Sequence, residues 1–173
     1  MSGPPLKPAL FLDRDGVLNE DHGYVHRWED FHWIAGAKEV IGAFNRAGWL
    51  VFVVTNQSGI GRGYYSEDDM QALHQRMAED LARSGARIDA VYHCPHHPEA
   101  KLEAYRHPDP PDRKPNPGML LRAFQEWPVD RERSVMVGDK PADLEAALRA
   151  GVKGLLFTGG DLAKFLESEG VLG

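Results

Sequence analysis

Short apolar runs of strand length alternate along this chain with segments of helical periodicity, and this alternation constrains the fold more than any other feature. Five such runs recur, at residues 8–12, 50–54, 88–92, 134–137 and 153–157. Alternating strands and helices are typical of a parallel sheet with helices on both faces. We therefore predict an α/β fold, with a three-layer, Rossmann-like and mainly parallel sheet.

The segments between these runs carry the start and stop signals of helices. Ser66 and Asp69 form a capping box ahead of an apolar stripe of helical spacing. Pro117 and Pro141 stand where a first helical turn would begin, and Gly151 follows the second of these patterns. These signals place helices between the predicted strands, as the connections of a parallel sheet require.

The composition fits one globular domain, which we expect to span residues 1–173. Acidic residues number 26 against 20 Lys and Arg, and the net charge of −6 speaks against a nucleic acid partner. No apolar run approaches the roughly 20 residues that cross a bilayer, so we expect no membrane partner. We expect a monomer.

Cys94 is the single cysteine of the chain and excludes an internal disulfide. The segment Met1–Pro5 contains neither a basic leader nor a long apolar stretch. From these two features we expect a cytoplasmic protein.

Residues 93–117 interrupt the alternation. This segment holds seven of the 12 prolines and has no clear periodicity. We predict a long surface loop that lies near the functional site.

Acidic side chains follow two of the predicted strands. Asp13 and Asp15 come directly after the first run, and because side chains alternate along a strand, both project to the same side. Asp139 follows the fourth run, and Asp143 lies one turn into the next helix. Strand ends of a parallel sheet share one edge, so four carboxylates meet there, and a hard cation would offset their repulsion. The pattern predicts a Mg²⁺ site.

Groups suited to phosphate follow the second run and the proline-rich segment. Thr55–Gly59 offers short polar side chains and a glycine that lets backbone amides approach an anion, and Lys114 adds a positive charge. With an ordinary pKa of ~3.9, Asp13 would be ionised without help and would attack phosphorus. Asp15 would protonate the leaving alcohol and then take a proton from water. These residues predict a phosphomonoesterase that forms an aspartyl phosphate.

Four motifs in this order resemble those of the haloacid dehalogenase (HAD) superfamily of phosphatases: Phe11–Val17, Thr55–Gly59, Arg113–Pro115, and Gly138–Lys140 with Asp143. Three more resemble the D-glycero-D-manno-heptose 1,7-bisphosphate phosphatases, with the histidinol-phosphatases as near relatives: Asp21–Val25, Gly59–Gly63 and Cys94–Pro98. The resemblance covers residues 9–151 approximately. It implies a HAD-type domain without a cap that removes the 7-phosphate, in the biosynthesis of lipopolysaccharide precursors.

The resemblance also implies roles for single residues. Asp13 would be the nucleophile and Asp15 the acid/base, and Asp13, the backbone carbonyl of Asp15 and Asp139 would bind Mg²⁺. Thr55 and Lys114 would hold the transferred phosphoryl group. Contacts with the substrate would come from Asp21, His22, Gly23, Tyr24, Thr55, Asn56, Gln57, Ser58, Arg113, Lys114 and Lys140.

The chain departs from the resembled family at a zinc-binding loop. That loop reads Cys-x-His and later Cys-x-Cys before Arg-Lys-Pro, whereas this chain has Cys94 and His96 but no second cysteine pair. A tetrahedral zinc site needs four ligands, which His97, His107, Asp109 or Asp112 would have to complete. We expect Mg²⁺ as cofactor and no zinc.

Two alternatives stay open. The same chemistry would serve histidinol phosphate or another small metabolite, although Asp21–Tyr24 favours the heptose. A phosphoryl-accepting receiver module also combines a parallel sheet with acids, a threonine and a lysine, and it stores the phosphoryl group. In a receiver the phosphorylated aspartate should follow a middle strand, whereas Asp13 follows the first, and Asp15 would have no task.

Overall fold

The computed structural model describes residues 3–172 and has a parallel sheet of five strands. The strands are β1 (Ala9–Leu12), β2 (Leu50–Asn56), β3 (Ala90–Cys94), β4 (Val135–Gly138) and β5 (Lys153–Leu156), in the spatial order β3-β2-β1-β4-β5. The α-helices are α1 (Ala37–Arg46), α2 (Ser58–Gly61), α3 (Glu67–Arg83), α4 (Gly118–Glu126), α5 (Pro141–Ala150) and α6 (Leu162–Ser168). Short 3₁₀ helices cover Trp28–Asp30, Glu103–Tyr105 and Arg131–Arg133.

The alternation of side chains along β1 divides the core into two layers. Leu10 and Leu12 are fully buried on the face that packs against α1, α3 and α6. Ala9 and Phe11 are fully buried on the opposite face, against α4 and α5. A strand buried on both faces reads as a continuous apolar run, which is why β1 has no polar residue. The predicted three-layer α/β fold is confirmed.

The register of the sheet brings three strand ends together. Leu12, the last residue of β1, pairs with Val53 of β2 on one side and with Val137 of β4 on the other. Because all these pairings are parallel, the residues that follow each strand emerge at one edge.

Several boundaries differ from the sequence-based expectation. The third strand was expected at 88–92, but it runs to Cys94 because its parallel partner β2 continues to Asn56, which pairs with Cys94. The predicted 93–117 loop therefore begins two residues too early. It also contains the 3₁₀ helix Glu103–Tyr105 and buries Ala100 and Lys114, so parts of it pack against the body.

The capping signals in the sequence coincide with helix ends in the structure. The Ser66–Asp69 capping box starts α3, and Gly151 ends α5 with a φ of 76° in the left-handed region. Helices α2 and α6 were not predicted, although Asp161 caps α6 by accepting a hydrogen bond from the Lys164 N–H and is a start signal in the sequence.

Two expectations concerned a leader segment and a membrane partner. Met1 and Ser2, part of the segment expected to lack a leader, lie outside the described residues. Among residues 3–172, no helix combines the length and apolar character that crossing a bilayer requires.

Phe11→Ala tests the packing of the central strand. Phe11 is fully buried, with ring centroids 5.3 Å from Phe52 and 5.8 Å from Phe124. The cavity left by its removal should lower the free energy of unfolding by about 3–5 kcal/mol, measured by urea titration. Leu148→Ala on α5 is the control, because that side chain is 73% exposed. Equal unfolding midpoints for the two variants would contradict this account of the core.

Candidate active site

A cavity of about 320 Å³ opens at the shared edge of β1, β2 and β4. It is lined by Asp13, Asp15, Asp21, Gly23, Tyr24, Asn56, Gln57, Ser58, Tyr65, Arg113, Lys114, Lys140, Ala142 and Asp143. Most of the residues predicted from the sequence therefore meet around one space, as the carboxyl edge of a parallel sheet favours.

The ammonium group of Lys114 joins two of the predicted acids. Its Nζ lies 2.9 Å from Asp13 Oδ1 and 2.6 Å from Asp143 Oδ1, and it donates a third hydrogen bond to the Val54 carbonyl at 2.9 Å. Lys114 is only 3% exposed. Burial works to lower the pKa of Lys114, but the two carboxylates outweigh it and raise that pKa, so the lysine stays protonated.

Burial raises the pKa of Asp13 to about 8, although the Lys114 ammonium acts in the opposite direction. Burial therefore opposes the expectation that Asp13 is ionised without help. Sequence alone did not show that this carboxyl group is buried beside Asp143, which adds to the upward shift. Positive charge in the site is needed to keep Asp13 ionised near neutral pH.

The residues present fit a divalent cation. Oxygen atoms of Asp13, Asp139 and Asp143 lie within 4.8 Å of one another, the one such acidic group found among residues 3–172. Asp139 Oδ1 is buried without a hydrogen-bond partner, and burial raises the pKa of Asp139. A hard cation such as Mg²⁺ would satisfy this oxygen and would lower the raised pKa values of Asp13 and Asp139. Asp143 joins the predicted pair; the role of the Asp15 backbone carbonyl stays a prediction.

Two glycines leave room for these acids. A Cβ atom on Gly138 would collide with the Asp143 side chain, and a Cβ on Gly16 would collide with Asp139. Gly16 also has a φ of 90°, in the left-handed region that favours glycine. The carboxylates can therefore pack closely because neither glycine has a side chain.

The Asn56 side chain fixes Lys114 to the end of β2. Its Oδ1 accepts a hydrogen bond from the Lys114 N–H at 3.0 Å, and its Nδ2 donates to the Lys114 carbonyl at 3.2 Å. Thr55 is buried, and its Oγ1 accepts a hydrogen bond from Gln57 Nε2 at 2.9 Å. Thr55 is therefore absent from the cavity wall, whereas Asn56, Gln57 and Ser58 contribute to it.

The outer rim of the cavity comes from two loops. Gly23 and Tyr24 both have positive φ values, 82° and 53°, and the Gly23 N–H donates to Asp21 Oδ1 at 3.0 Å. This turn puts Tyr24 on the wall but leaves His22 outside it, 48% exposed and 3.3 Å from Glu20. His22 is the second predicted contact, after Thr55, that the structure does not bring to the cavity.

Some residues in or beside the site were not predicted from the sequence. Tyr65 lines the cavity and donates a short hydrogen bond to Gln57 Oε1, and burial raises the pKa of Tyr65 to about 12. His74 of α3 lies 3.2 Å from the Arg14 guanidinium, and burial lowers the pKa of His74 to about 3. No local pattern in the sequence connects either residue with the aspartates.

Several side chains considered as zinc ligands make other contacts in the structure. The Cys94 thiol is buried and donates to the His96 carbonyl at 3.8 Å. His97 Nδ1 and His107 Nδ1 each accept a backbone N–H two residues ahead, and Asp112 pairs with Arg122. Within residues 3–172, these side chains do not form a group of three that could hold a metal. The absence of zinc stays a prediction.

Comparisons with known proteins find similar sequences among phosphatases. Residues 112–167 match a family model described as HAD-hydrolase-like. The chain is 48% identical over 167 residues to D-glycero-beta-D-manno-heptose-1,7-bisphosphate 7-phosphatase of Rhodopseudomonas palustris, covering 94% of the chain and 90% of the relative. It is 51% identical over 144 residues to the D-glycero-alpha-D-manno enzyme of Burkholderia mallei, covering 83% and 76%.

A solved structure is also similar. It is the D,D-heptose 1,7-bisphosphate phosphatase from B. bronchiseptica complexed with magnesium and phosphate. Its TM-score is 0.79 at 33% identity, and the match covers 93% of this chain and 86% of that one. The shared architecture supports the predicted HAD-type sheet.

His74→Gln tests the neutral buried imidazole. Unfolded, His74 takes a proton below its usual pKa of 6.5, whereas folded it does so only near 3. The unfolded state binds more protons between these values, so stability falls as pH falls through this window, by up to ~1.4 kcal/mol per pH unit from this group. The variant should show a flatter slope in urea titrations at pH 4, 5, 6 and 7. Identical slopes would refute a buried neutral His74.

Metal analysis tests the zinc expectation. Protein treated with a chelator and repurified should contain well under one zinc per chain, because the ligand set is incomplete. With Mg²⁺ restored to both samples, its urea midpoint should equal that of untreated protein, since no structural zinc is lost. A content of about one zinc per chain, with a midpoint lowered by the chelator, would contradict the prediction.

Proposed function

This chain belongs to the D-glycero-D-manno-heptose-1,7-bisphosphate 7-phosphatase family of HAD-like hydrolases, and we propose that it is a Mg²⁺-dependent phosphatase that removes the 7-phosphate of this heptose bisphosphate. The observation that carries the proposal is the close grouping of Asp13, Lys114 and Asp143 beside Asp15. It provides a nucleophile, a fixed positive charge and an acid in one cavity.

Asp13 attacks phosphorus through the oxygen that protein donors leave free. Lys114 Nζ and the Arg14 N–H both donate to Asp13 Oδ1, each at 2.9 Å, so Oδ2 is the attacking oxygen. A bond forms between Oδ2 and phosphorus while the bond from phosphorus to the sugar oxygen breaks. Asp15 protonates that leaving oxygen.

The second half of the reaction returns both aspartates to their starting state. Water attacks the phosphorus of the aspartyl phosphate and gives a proton to Asp15, and the bond between phosphorus and Asp13 breaks. In the free enzyme the carboxylates of Asp13 and Asp143 keep Lys114 charged, and Lys114 offsets negative charge on the phosphoryl oxygens. Mg²⁺, held by Asp13, Asp139 and Asp143, would supply further positive charge there.

Positively charged side chains on the rim of the cavity are suited to bind the second phosphate of the substrate. Arg113 lines the cavity, and although burial lowers the pKa of Arg113, a guanidinium remains charged at neutral pH. The positive charge of Arg62 acts on Arg113, and Arg62 Nε is buried without a partner. Within residues 3–172, the salt bridges with carboxylates include neither Arg62 nor Arg113. We assign the non-reacting phosphate to Arg113, with Arg62 behind it.

We propose a monomeric, cytoplasmic enzyme that acts as one HAD-like domain without a cap, on a small phosphorylated sugar. The net charge of −6 opposes binding to a nucleic acid backbone.

A substrate panel tests the proposed activity. Phosphate release with Mg²⁺ is measured for both anomers of the heptose 1,7-bisphosphate, fructose 1,6-bisphosphate, histidinol phosphate and an aryl phosphate. One heptose anomer should exceed the other substrates in kcat/KM by about 10² or more, equivalent to ~2.7 kcal/mol of discrimination in the transition state. Flat rates, or histidinol phosphate in the lead, would contradict the heptose assignment and leave the phosphatase chemistry standing.

Variants separate the chemistry from the choice of substrate. Asp13→Asn should abolish turnover, and Asp15→Asn should lower it by roughly 10²–10⁴. Glu132→Gln, the same kind of change on an exposed residue, is the control. An unaffected rate in Asp15→Asn would refute the acid/base role.

A further inference from the structure

Arg14, which lies between Asp13 and Asp15, has one of the most deeply buried large side chains among residues 3–172. Arg14 is 1% exposed, although the residues on either side of it line an open cavity. A guanidinium is costly to bury unless hydrogen-bond acceptors surround it. Its partners therefore indicate what the structure gains from it.

Arg14 contacts three segments of the chain. Its Nη2 donates to Asp15 Oδ1 at 2.9 Å and to the Val25 carbonyl at 2.6 Å. Its Nη1 donates to His74 Nε2 at 3.2 Å, which places the imidazole proton on Nδ1. Neutral His74 can accept this bond, whereas a protonated imidazole could not. The guanidinium thus holds Asp15, the loop that carries Asp21 and Tyr24, and α3 in one arrangement.

The hydrogen bonds to Asp15 are unequally shared between its two oxygens. Oδ1 accepts from Arg14 Nη2 at 2.9 Å, Arg14 Nε at 3.3 Å and Asn19 Nδ2 at 3.0 Å. Oδ2 accepts one weak hydrogen bond, from Gln57 Nε2 at 3.3 Å. Three donors occupy the capacity of Oδ1, so only Oδ2 is free to meet another group. Asn19 is itself fully buried, and so its amide has little freedom to turn away.

We propose that Arg14, together with Asn19, is a positioning residue that turns the Asp15 carboxyl so that Oδ2 meets the leaving oxygen of the substrate. The inference rests on the proposed function, since Asp15 needs such an orientation only if it exchanges protons with the substrate and with water. A lysine in place of Arg14 cannot reproduce it, because a single ammonium group lacks the planar set of donors that reaches all these acceptors.

The test compares two leaving groups in single-turnover experiments with enzyme in excess and Mg²⁺ present. The heptose bisphosphate has a poor leaving group that needs a proton, whereas 2,4-dinitrophenyl phosphate has a good one that leaves without it. Arg14→Lys should slow cleavage of the sugar phosphate by about 10²-fold and of the aryl phosphate by less than about threefold. Asn19→Ala should show the same selectivity with a smaller loss, about tenfold.

Two further variants make the result interpretable. Asp15→Asn sets the full size of the selective loss. Leu81→Ala removes a buried side chain of α3 and serves as the control for lowered stability, because it should affect both substrates equally. Circular dichroism and urea midpoints show which variants fold. If Arg14→Lys does not fold, Asn19→Ala provides the test.

Each outcome has a distinct meaning. Selective loss in Arg14→Lys or Asn19→Ala that parallels Asp15→Asn supports the positioning role. An equal loss on both substrates, or no loss, overturns it while Asp15→Asn still shows the acid. If Asp15→Asn itself spares the sugar phosphate, the acid/base part of the proposed function falls as well.

Discussion

The buried ammonium group of Lys114 lies between the carboxylates of Asp13 and Asp143, and each of the three residues comes from a different part of the chain. Burying any one of these charges alone would cost several kcal/mol, so each is tolerable only because the other two are present. The triad therefore couples the end of β1, the proline-rich segment and the first turn of α5. The same coupling gives Asp13 the positive neighbour that an ionised nucleophile needs.

A second buried cation gives the other aspartate a different environment. Arg14 and Asp15 form an ion pair, and the Asp15 side chain keeps 22% of its surface exposed. Asp13 is thus held rigidly and desolvated, whereas Asp15 is oriented by donors on one oxygen and open at the other. Two aspartates two positions apart acquire different chemical properties because a different cation contacts each.

The proline-rich segment delivers Lys114 and Arg113 to the cavity through hydrogen bonds and ion pairs of its own. Asn56 holds the Lys114 backbone, Asp112 pairs with Arg122, and Asn116 donates to the Asp109 carboxylate at 2.8 Å. These contacts anchor the end of the segment that matters for the site.

The sequence by itself determined the parallel α/β architecture, because the apolar runs and caps such as Ser66–Asp69 are local signals that do not depend on distant residues. It also determined that Asp13 and Asp139 would meet, since the carboxyl ends of parallel strands share one edge. Only the tertiary structure decided the raised pKa of Asp13, the partners of Arg14 and the outward placement of His22. Those properties depend on burial and on contacts between residues far apart in the chain, such as Arg14 with His74, which no local pattern encodes.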